Sequence, residues 1–289
     1  MTARFDLIVV DLDGTLLNSK GVVSPGNAAA VARAEAMGVR VVVATGRSWS
    51  ESRDAIAPLG LRQPMIAAGG AVLADGPSGR TLRRHAMPVA LVRDVVASLG
   101  RHGHPALLLK DTPPGLDDYV VVGEGPLDRA SEWWFRTFNV RHARVRDIAD
   151  DPHPEDTVRV GVVASDRALA AVVGELRADI GDRAFLQHWS AVTDSEATGS
   201  STHLLEIFNP RVSKWTMVEH LCRSEGVDPR RTLAIGDGLN DVEMLANAGL
   251  GVAMANAGAE ARAAARESTE HHDADGVAMA IDRLVVGRR

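Results

Sequence analysis

Four apolar residues, Leu7-Ile8-Val9-Val10, run directly into two carboxylates, Asp11 and Asp13, and then into Gly14-Thr15. No other stretch constrains the fold as much. A continuous apolar run of this length reads as a strand buried on both faces, the kind found in parallel sheets. The carboxylates then stand at its C-terminal end, where open α/β sheets place their ligands. Gly14 breaks the strand, so both acids fall on the first turn of a loop. Two acids this close repel unless a cation lies between them, and a hard divalent metal meets that need. A capped turn is the plainer alternative. A calcium loop fits poorly, because it wants acids at its positions 1, 3 and 5 with glycine at 6, and here Gly14 already stands at position 4.

The same pattern recurs. Ser24 and Pro25 read as N-cap and first residue of a helix running through Ala28–Met37, with Gly38 closing it. Arg40–Ala44 is a second buried strand ending in Thr45-Gly46-Arg47-Ser48, before a helix over Trp49–Leu59. A strand end feeding a helix N-terminus suits an anion such as phosphate, although an ordinary turn capped by Ser48 reads equally well. Met65–Ala67 is a third strand. Strand and helix alternate at the spacing of a doubly wound parallel sheet, a Rossmann-like α/β core.

From Asp75-Gly76 and Ser78-Gly79 the rhythm changes to hairpins and helices: Val89–Leu99, Ala106–Leu109, Tyr119–Val122, Leu127–Phe138, Val158–Ala164, Ala168–Ile180, Ala184–His188 and Ala191–Thr193. This middle third predicts an inserted α+β domain over residues 86–196, with the core formed by 1–85 and 197–289. The core rhythm resumes with an apolar strand over His203–Phe208. Ser213 caps a helix over Lys214–Glu225 closed by Gly226. Thr232–Ile235 then ends in Gly236-Asp237-Gly238-Leu239-Asn240-Asp241, followed by a helix to Asn247. Gly251–Met254 is a further strand, and helices over Ala259–Glu267 and Val277–Val285 finish the chain.

Three core strands thus stop in polar clusters: Asp11/Asp13, Thr45/Arg47 and Asp237/Asn240/Asp241. A parallel sheet puts such ends along one edge. Carboxylates, a hydroxyl and an ammonium converging there describe a metal-assisted phosphate site. Of 32 basic residues only Lys20, Lys110 and Lys214 are lysine, so each is a mild hint that a compact ammonium is wanted. The net charge of −6 argues against nucleic acid or an anionic membrane as partner. The single cysteine, Cys222, excludes an internal disulfide framework. Asp11 and Asp13 interrupt the only early apolar run, and no stretch approaches the ~18 apolar residues of a membrane helix. A cytoplasmic protein is expected.

Together the motifs Asp11-Leu12-Asp13-Gly14-Thr15, Ala44-Thr45-Gly46-Arg47, Ser213-Lys214 and Gly236-Asp237-Gly238-Leu239-Asn240-Asp241 resemble those of the haloacid dehalogenase superfamily of phosphohydrolases. The continuation Val242-Glu243-Met244-Leu245 and the run Gly251-Val252-Ala253-Met254-Ala255-Asn256-Ala257 are similar to its Cof-type branch, which carries a large α/β cap between the second and third motifs. The resemblance covers most of residues 5–75 and 203–285; the middle third matches only by placement. It implies a phosphatase in which Asp11 is the nucleophile, forming an aspartyl-phosphate, and Asp13 the acid/base. Mg²⁺ would be held by the Asp11 side chain, the Asp13 carbonyl and Asp237, with Asp241 as ligand or through water. Thr45 and the Gly46 N–H would bind phosphoryl oxygens, Asn240 would contact the phosphate, and Lys214 would neutralise charge between phosphate and Asp11. Arg47 is grouped with the substrate-binding residues, with pairing to a core acid as its alternative. The acid at position 13 argues against a dehalogenase, which needs no proton donor for its leaving group.

The expected substrate is a small phosphorylated metabolite, foremost a sugar phosphate, selected by a cap that closes over the core and excludes water. Monomer and homodimer are both open. A phosphosugar mutase shares the same intermediate, and a catalytically silent sugar-phosphate-binding regulator would share the scaffold but predicts a broken catalytic position. Other candidates are weaker. His271-His272-Asp273, and His102 with His104, read as solvated loop residues. Trp133 and Trp134 cannot both face inward, and a place in the middle-domain core is favoured over the substrate pocket. Trp49, His188 and Trp189 are lesser candidates for substrate contact. Cys222 lies on the apolar side of its helix.

Overall fold

The structure, a computed structural model, describes residues 4–60, 62–113, 115–190 and 202–287, the side chains of 189 and 190 excepted. Its contacts divide the chain into two compact units, Met1–Arg83 with Ser213–Arg289, and Arg84–Val212.

The first unit begins with β1 (Leu7–Val10), α1 (Pro25–Ala36), β2 (Arg40–Val43), α2 (Trp49–Ile56) and the short strands β3 (Met65–Ala67), β4 (Val72–Ala74) and β5 (Thr81–Arg84). Local chemistry sets these boundaries. The Ser24 hydroxyl accepts the Asn27 N–H, Pro25 occupies the first turn, and Gly38 takes a left-handed φ of 83° just past the helix. Ser48 and Glu51 form a reciprocal capping box on α2. That helix stops at Ile56, short of the expected Leu59, because Pro58 turns its last residues into a 3₁₀ segment.

The second unit contains α3 (Val89–Arg101), β6 (Ala106–Lys110), β7 (Tyr119–Val122), α4 (Arg129–Thr137), β8 (His142–Val145), β9 (Thr157–Ser165), α5 (Asp166–Ile180), β10 (Phe185–Ser190) and β11 (Thr202–Phe208). Its six strands run in the order β10-β11-β9-β6-β7-β8, antiparallel except for the β7–β8 pair. Leu91, Val95 and Leu99 of α3 and Leu169, Val172 and Leu176 of α5 share one core with Leu108, Val120, Val160, Val162 and Leu205 of the sheet.

The chain returns to the first unit with α6 (Lys214–Glu225), β12 (Thr232–Gly236), α7 (Val242–Asn247), β13 (Leu250–Ala253), α8 (Ala259–Ala264), β14 (Glu267–Ser268) and α9 (Gly276–Ile281). Its main sheet, β14-β13-β12-β1-β2, is wholly parallel. From β1 the chain steps to β2 on one side and reaches β12 on the other. The C-terminal end of β1 is therefore the point where strand order reverses, the crevice where such sheets bind ligands.

Several sequence expectations are corrected. The expected core strand over His203–Phe208 is β11 of the second unit, lying between β10 and β9, so the unit runs to Val212 and not to 196. Apolar patterning identifies a strand but not the sheet that accepts it. The expected helix over Ala259–Glu267 ends at Ala264, because Glu267 and Ser268 pair with Val252 and Ala253. Strand β8 has mixed exposure and no alternating apolar signal, so its sequence does not mark it as a strand. Trp133 and Trp134 are both half-buried, and it is Phe135 that is buried, its ring 5.2 Å from that of Tyr119. Ala191–Thr193 and the Trp189 side chain lie outside the described residues.

Candidate active site

Four neighbouring strands of the parallel sheet end in polar residues on one edge. Asp11 follows β1, Thr45 follows β2, Asp237 follows β12, and Asn256 lies three residues beyond β13. The Asp11 N–H continues the ladder to the Ile235 carbonyl (2.9 Å), as the Ala44 N–H does to Val10 (2.9 Å). The apolar strands thus fix where these polar groups emerge.

Lys214 opens α6, and its ammonium is almost fully buried. It donates to Asp11 Oδ1 and to Asp241 Oδ1 (2.7 Å). Its backbone is placed by a close approach that requires glycine: Gly70 has φ 103°, and a Cβ there would lie 2.1 Å from the Ser213 carbonyl oxygen. The second oxygen of Asp241 accepts the N–H groups of Asp237 (3.0 Å) and Gly238 (2.9 Å), so both oxygens already hold protein donors.

Asp237 Oδ1 accepts the Thr15 hydroxyl (2.8 Å), and its Oδ2 accepts the Asn256 amide (3.3 Å), which also donates to the Gly14 carbonyl (2.7 Å). Gly14 is needed here. Its φ is 72°, and a Cβ would stand 2.4 Å from Asp237 Oδ2. The loop after β1 is thereby pressed against Asp237. Carboxylate oxygens of Asp11, Asp237 and Asp241 lie within 4.8 Å of one another.

Packing this much negative charge out of water has the expected consequences. Burial pushes the Asp11 carboxyl well above the usual carboxylate range; the charge of Asp241 adds to this, and Lys214 opposes it. Asp237 is raised to about 6, first by burial and then by Asp241, against the Thr15 hydrogen bond. Burial disfavours the Lys214 ammonium, but Asp11 and Asp241 more than offset it and hold its pKa above the ordinary lysine value.

The Asp13 carboxylate is paired with Arg47. The guanidinium grips it at both oxygens, Nε to Oδ2 at 2.8 Å and Nη2 to Oδ1. Of the two sequence readings of Arg47, pairing with an acid is the contact present. Its own N–H rests on the Thr45 hydroxyl (3.1 Å). Gly46 approaches Asn240, whose amide nitrogen would stand 3.8 Å from a Cβ there. Thr45 and Arg47 are buried, while Asp13, Gly46 and Asn240 are half-buried.

Sequence reasoning assigned no role to Thr15 or Asn256. Both lie in the motif runs already quoted, and their signal was a hydroxyl and an amide just past strand ends. Several of the lesser candidates have partners of their own. Trp49 donates its indole N–H to the Gly76 carbonyl (2.9 Å). Cys222 is buried, and burial raises its thiol to about 11, far from a nucleophile's range. His272 is tied through Nδ1 to the Leu17 carbonyl (2.9 Å), and His102 through Nε2 to Glu175 (2.7 Å).

Known proteins agree with this architecture. Phosphatase YwpJ of Bacillus subtilis (strain 168) is 30% identical over a match covering 96% of this chain and 99% of its own. The Arabidopsis thaliana protein named chloroplastic endoribonuclease YBEY is 28% identical over 97% of this chain, but the chain spans less than half, 46%, of that protein's length. A solved haloacid dehalogenase-like hydrolase from Bacteroides thetaiotaomicron superposes with a TM-score of 0.78 at 26% identity, covering 96% of this chain and 99% of its own. A family profile described as haloacid dehalogenase-like hydrolase matches residues 8–281, and the chain is an enzyme of that hydrolase family.

Proposed function

We propose that the protein is a Mg²⁺-dependent phosphatase that hydrolyses a small phosphorylated metabolite, foremost a sugar phosphate, through an aspartyl-phosphate on Asp11. The observation that carries this reading is the convergence of the Asp11, Asp237 and Asp241 carboxylates within 4.8 Å, with the Lys214 ammonium bonded to two of them. The donor set fits Mg²⁺: it is all oxygen, anionic and desolvated. Asp11, Asp237 and the Asp13 carbonyl would hold the ion. When bound, Mg²⁺ would offset the negative charge shared by these carboxylates and the phosphoryl oxygens.

The chain's own groups do the rest. The Asp11 oxygen attacks phosphorus and forms a P–O bond as the ester oxygen departs. Asp13 delivers a proton to that leaving oxygen. It later takes one from the water that cleaves the acyl-phosphate, returning phosphate and free Asp11. Arg47 keeps the Asp13 carboxyl in one orientation. Lys214 limits the repulsion between Asp11 and an incoming dianion, since its ammonium already contacts the attacking carboxylate. Thr45, the Gly46 N–H and Asn240 are assigned to the phosphoryl oxygens. Asp241, bonded to Lys214 and to the Asp237 and Gly238 N–H groups, positions both elements and is assigned to the ion as a ligand or through water. Residues 84–212 are assigned substrate selection. A cytoplasmic setting, with neither nucleic acid nor membrane as partner, belongs to the same proposal; the acidic balance and lone buried cysteine support it.

Asp11→Asn and Asp13→Asn should each abolish phosphate release from a generic aryl phosphate in the presence of Mg²⁺. Near wild-type turnover by either variant would overturn the assigned roles. A turnover screen across phosphorylated sugars, nucleotides, pyridoxal phosphate and flavin mononucleotide then identifies the substrate class.

A further inference from the structure

A second cluster of metal-ligating side chains lies within the Arg84–Val212 unit. In the antiparallel pair β10–β11, His188 stands opposite Leu205 and His203 opposite Ser190. The two histidines are therefore on one face of the sheet in a diagonal relation, with ring centroids 5.2 Å apart. Strand β11 also pairs with β9, Thr202 opposite Ser165. That register brings Asp166, the first residue of α5, beside the same two rings.

The contacts here are not hydrogen bonds. Asp166 Oδ1 is 3.6 Å from His188 Nε2 and 3.4 Å from His203 Nδ1. Both ring nitrogens are buried and have no hydrogen-bond partner. Buried polar atoms are normally paired, so two unpaired nitrogens turned toward one carboxylate call for an explanation. A tetrahedral ion supplies one. Ligands at about 2.0–2.1 Å from Zn²⁺ stand roughly 3.3–3.4 Å from one another, close to the two spacings observed. Two imidazoles and a carboxylate are a donor set for zinc rather than for the oxygen-seeking Mg²⁺. The other histidine cluster lacks this character, because His272 Nδ1 meets the Leu17 carbonyl and His271 Nδ1 accepts the Asp273 N–H.

We propose that Asp166, His188 and His203 form a Zn²⁺ site, three protein ligands with the fourth position left to water. The ion fastens the start of α5 to the β10–β11 pair at the edge of its sheet. The site shares no residue with the carboxylate cluster and does not rest on the phosphatase reading.

The test uses the full chain, freed of metal by a chelator and dialysed into saturating Mg²⁺. Zn²⁺ is then titrated by calorimetry, and Co²⁺ by the visible absorption of tetrahedral cobalt. Wild type should bind one Zn²⁺ per chain and show that absorption. His188→Gln, His203→Asn and Asp166→Asn should each weaken Zn²⁺ at least about tenfold, the least that loss of even an outer-shell partner costs a metal site. Asp237→Asn should leave it intact. Asp166 is exposed at a helix start, so its variant tests the site even if a histidine variant misfolds. The proposal is overturned if wild type binds no Zn²⁺ under these conditions. It is also overturned if the bound Zn²⁺ survives unchanged in Asp166→Asn or disappears in Asp237→Asn.

Discussion

Replacing Asp237 by Asn should make the metal-free protein more stable at neutral pH, although it removes a residue assigned to the active site. The carboxyl of Asp237 is raised from its ordinary 3.8 to about 6, chiefly by burial and by the charge of Asp241. The native state therefore holds this proton more tightly than the unfolded chain does. Below about pH 4 both states are protonated and the group carries no penalty. Between about pH 4 and pH 6 the unfolded chain releases this proton while the native state keeps it, so stability falls; above 6 both states are ionised and the penalty stays constant. A rise of about two pH units corresponds to about 3 kcal/mol above pH 6. Asn has nearly the same shape and still accepts the Thr15 hydroxyl, but its amide turns a donor toward the Asn256 donor, which costs about 1 kcal/mol. Urea unfolding in a chelator, followed by tryptophan fluorescence, measures the balance. The stability gap in favour of Asp237→Asn should widen by about 2 kcal/mol between pH 4.5 and pH 8, with an unchanged m value. A gap that stays constant across that range, or that narrows as pH rises, would refute the claim that Asp237 is a desolvated and poorly compensated charge. Adding Mg²⁺ at pH 8 should then stabilise wild type by about 2.7 kcal/mol at a hundredfold excess over its Kd, and Asp237→Asn far less.

Lys214→Met should destabilise the metal-free protein by about 3–5 kcal/mol in the same assay, because it leaves Asp11 and Asp241 buried without their cation; adding Asp11→Asn should recover part of the loss. Arg47→Lys keeps the charge but not the two-pronged grip on Asp13, so kcat for an aryl phosphate should fall by up to about 100-fold with KM little changed. Cys222 is buried with its thiol raised to about 11, so alkylation by iodoacetamide at pH 8 should track unfolding in urea and be negligible before it.

Much of the site was legible because its residues sit where short-range rules apply. Apolar runs at residues 7–10, 41–44 and 233–235 announce buried strands; Asp11 and Thr45 follow directly at their ends, and Asp237 follows after Gly236. The caps at Ser24, Ser48 and Ser213 were readable for the same reason, since each makes its bond within three residues. The scarcity of lysine was also informative in part: Lys214 and Lys110 are both buried in ion pairs, Lys110 with Asp151 in the second unit, while Lys20 is exposed.

The sequence by itself determined most of the core elements and which polar residues emerge at the ends of the parallel strands, because local propensity and burial period are written in neighbouring residues. Only the tertiary structure decided partnership between distant ones. It assigned His203–Phe208 to the antiparallel sheet, gave Arg47 to Asp13, set Thr15 and Asn256 on Asp237, and gathered Asp166, His188 and His203. Each of these depends on strand register or loop approach across tens to hundreds of residues. A shift of one residue in that register turns every side chain of a strand to the opposite face, and nothing in a strand's own composition says which neighbour will fix it.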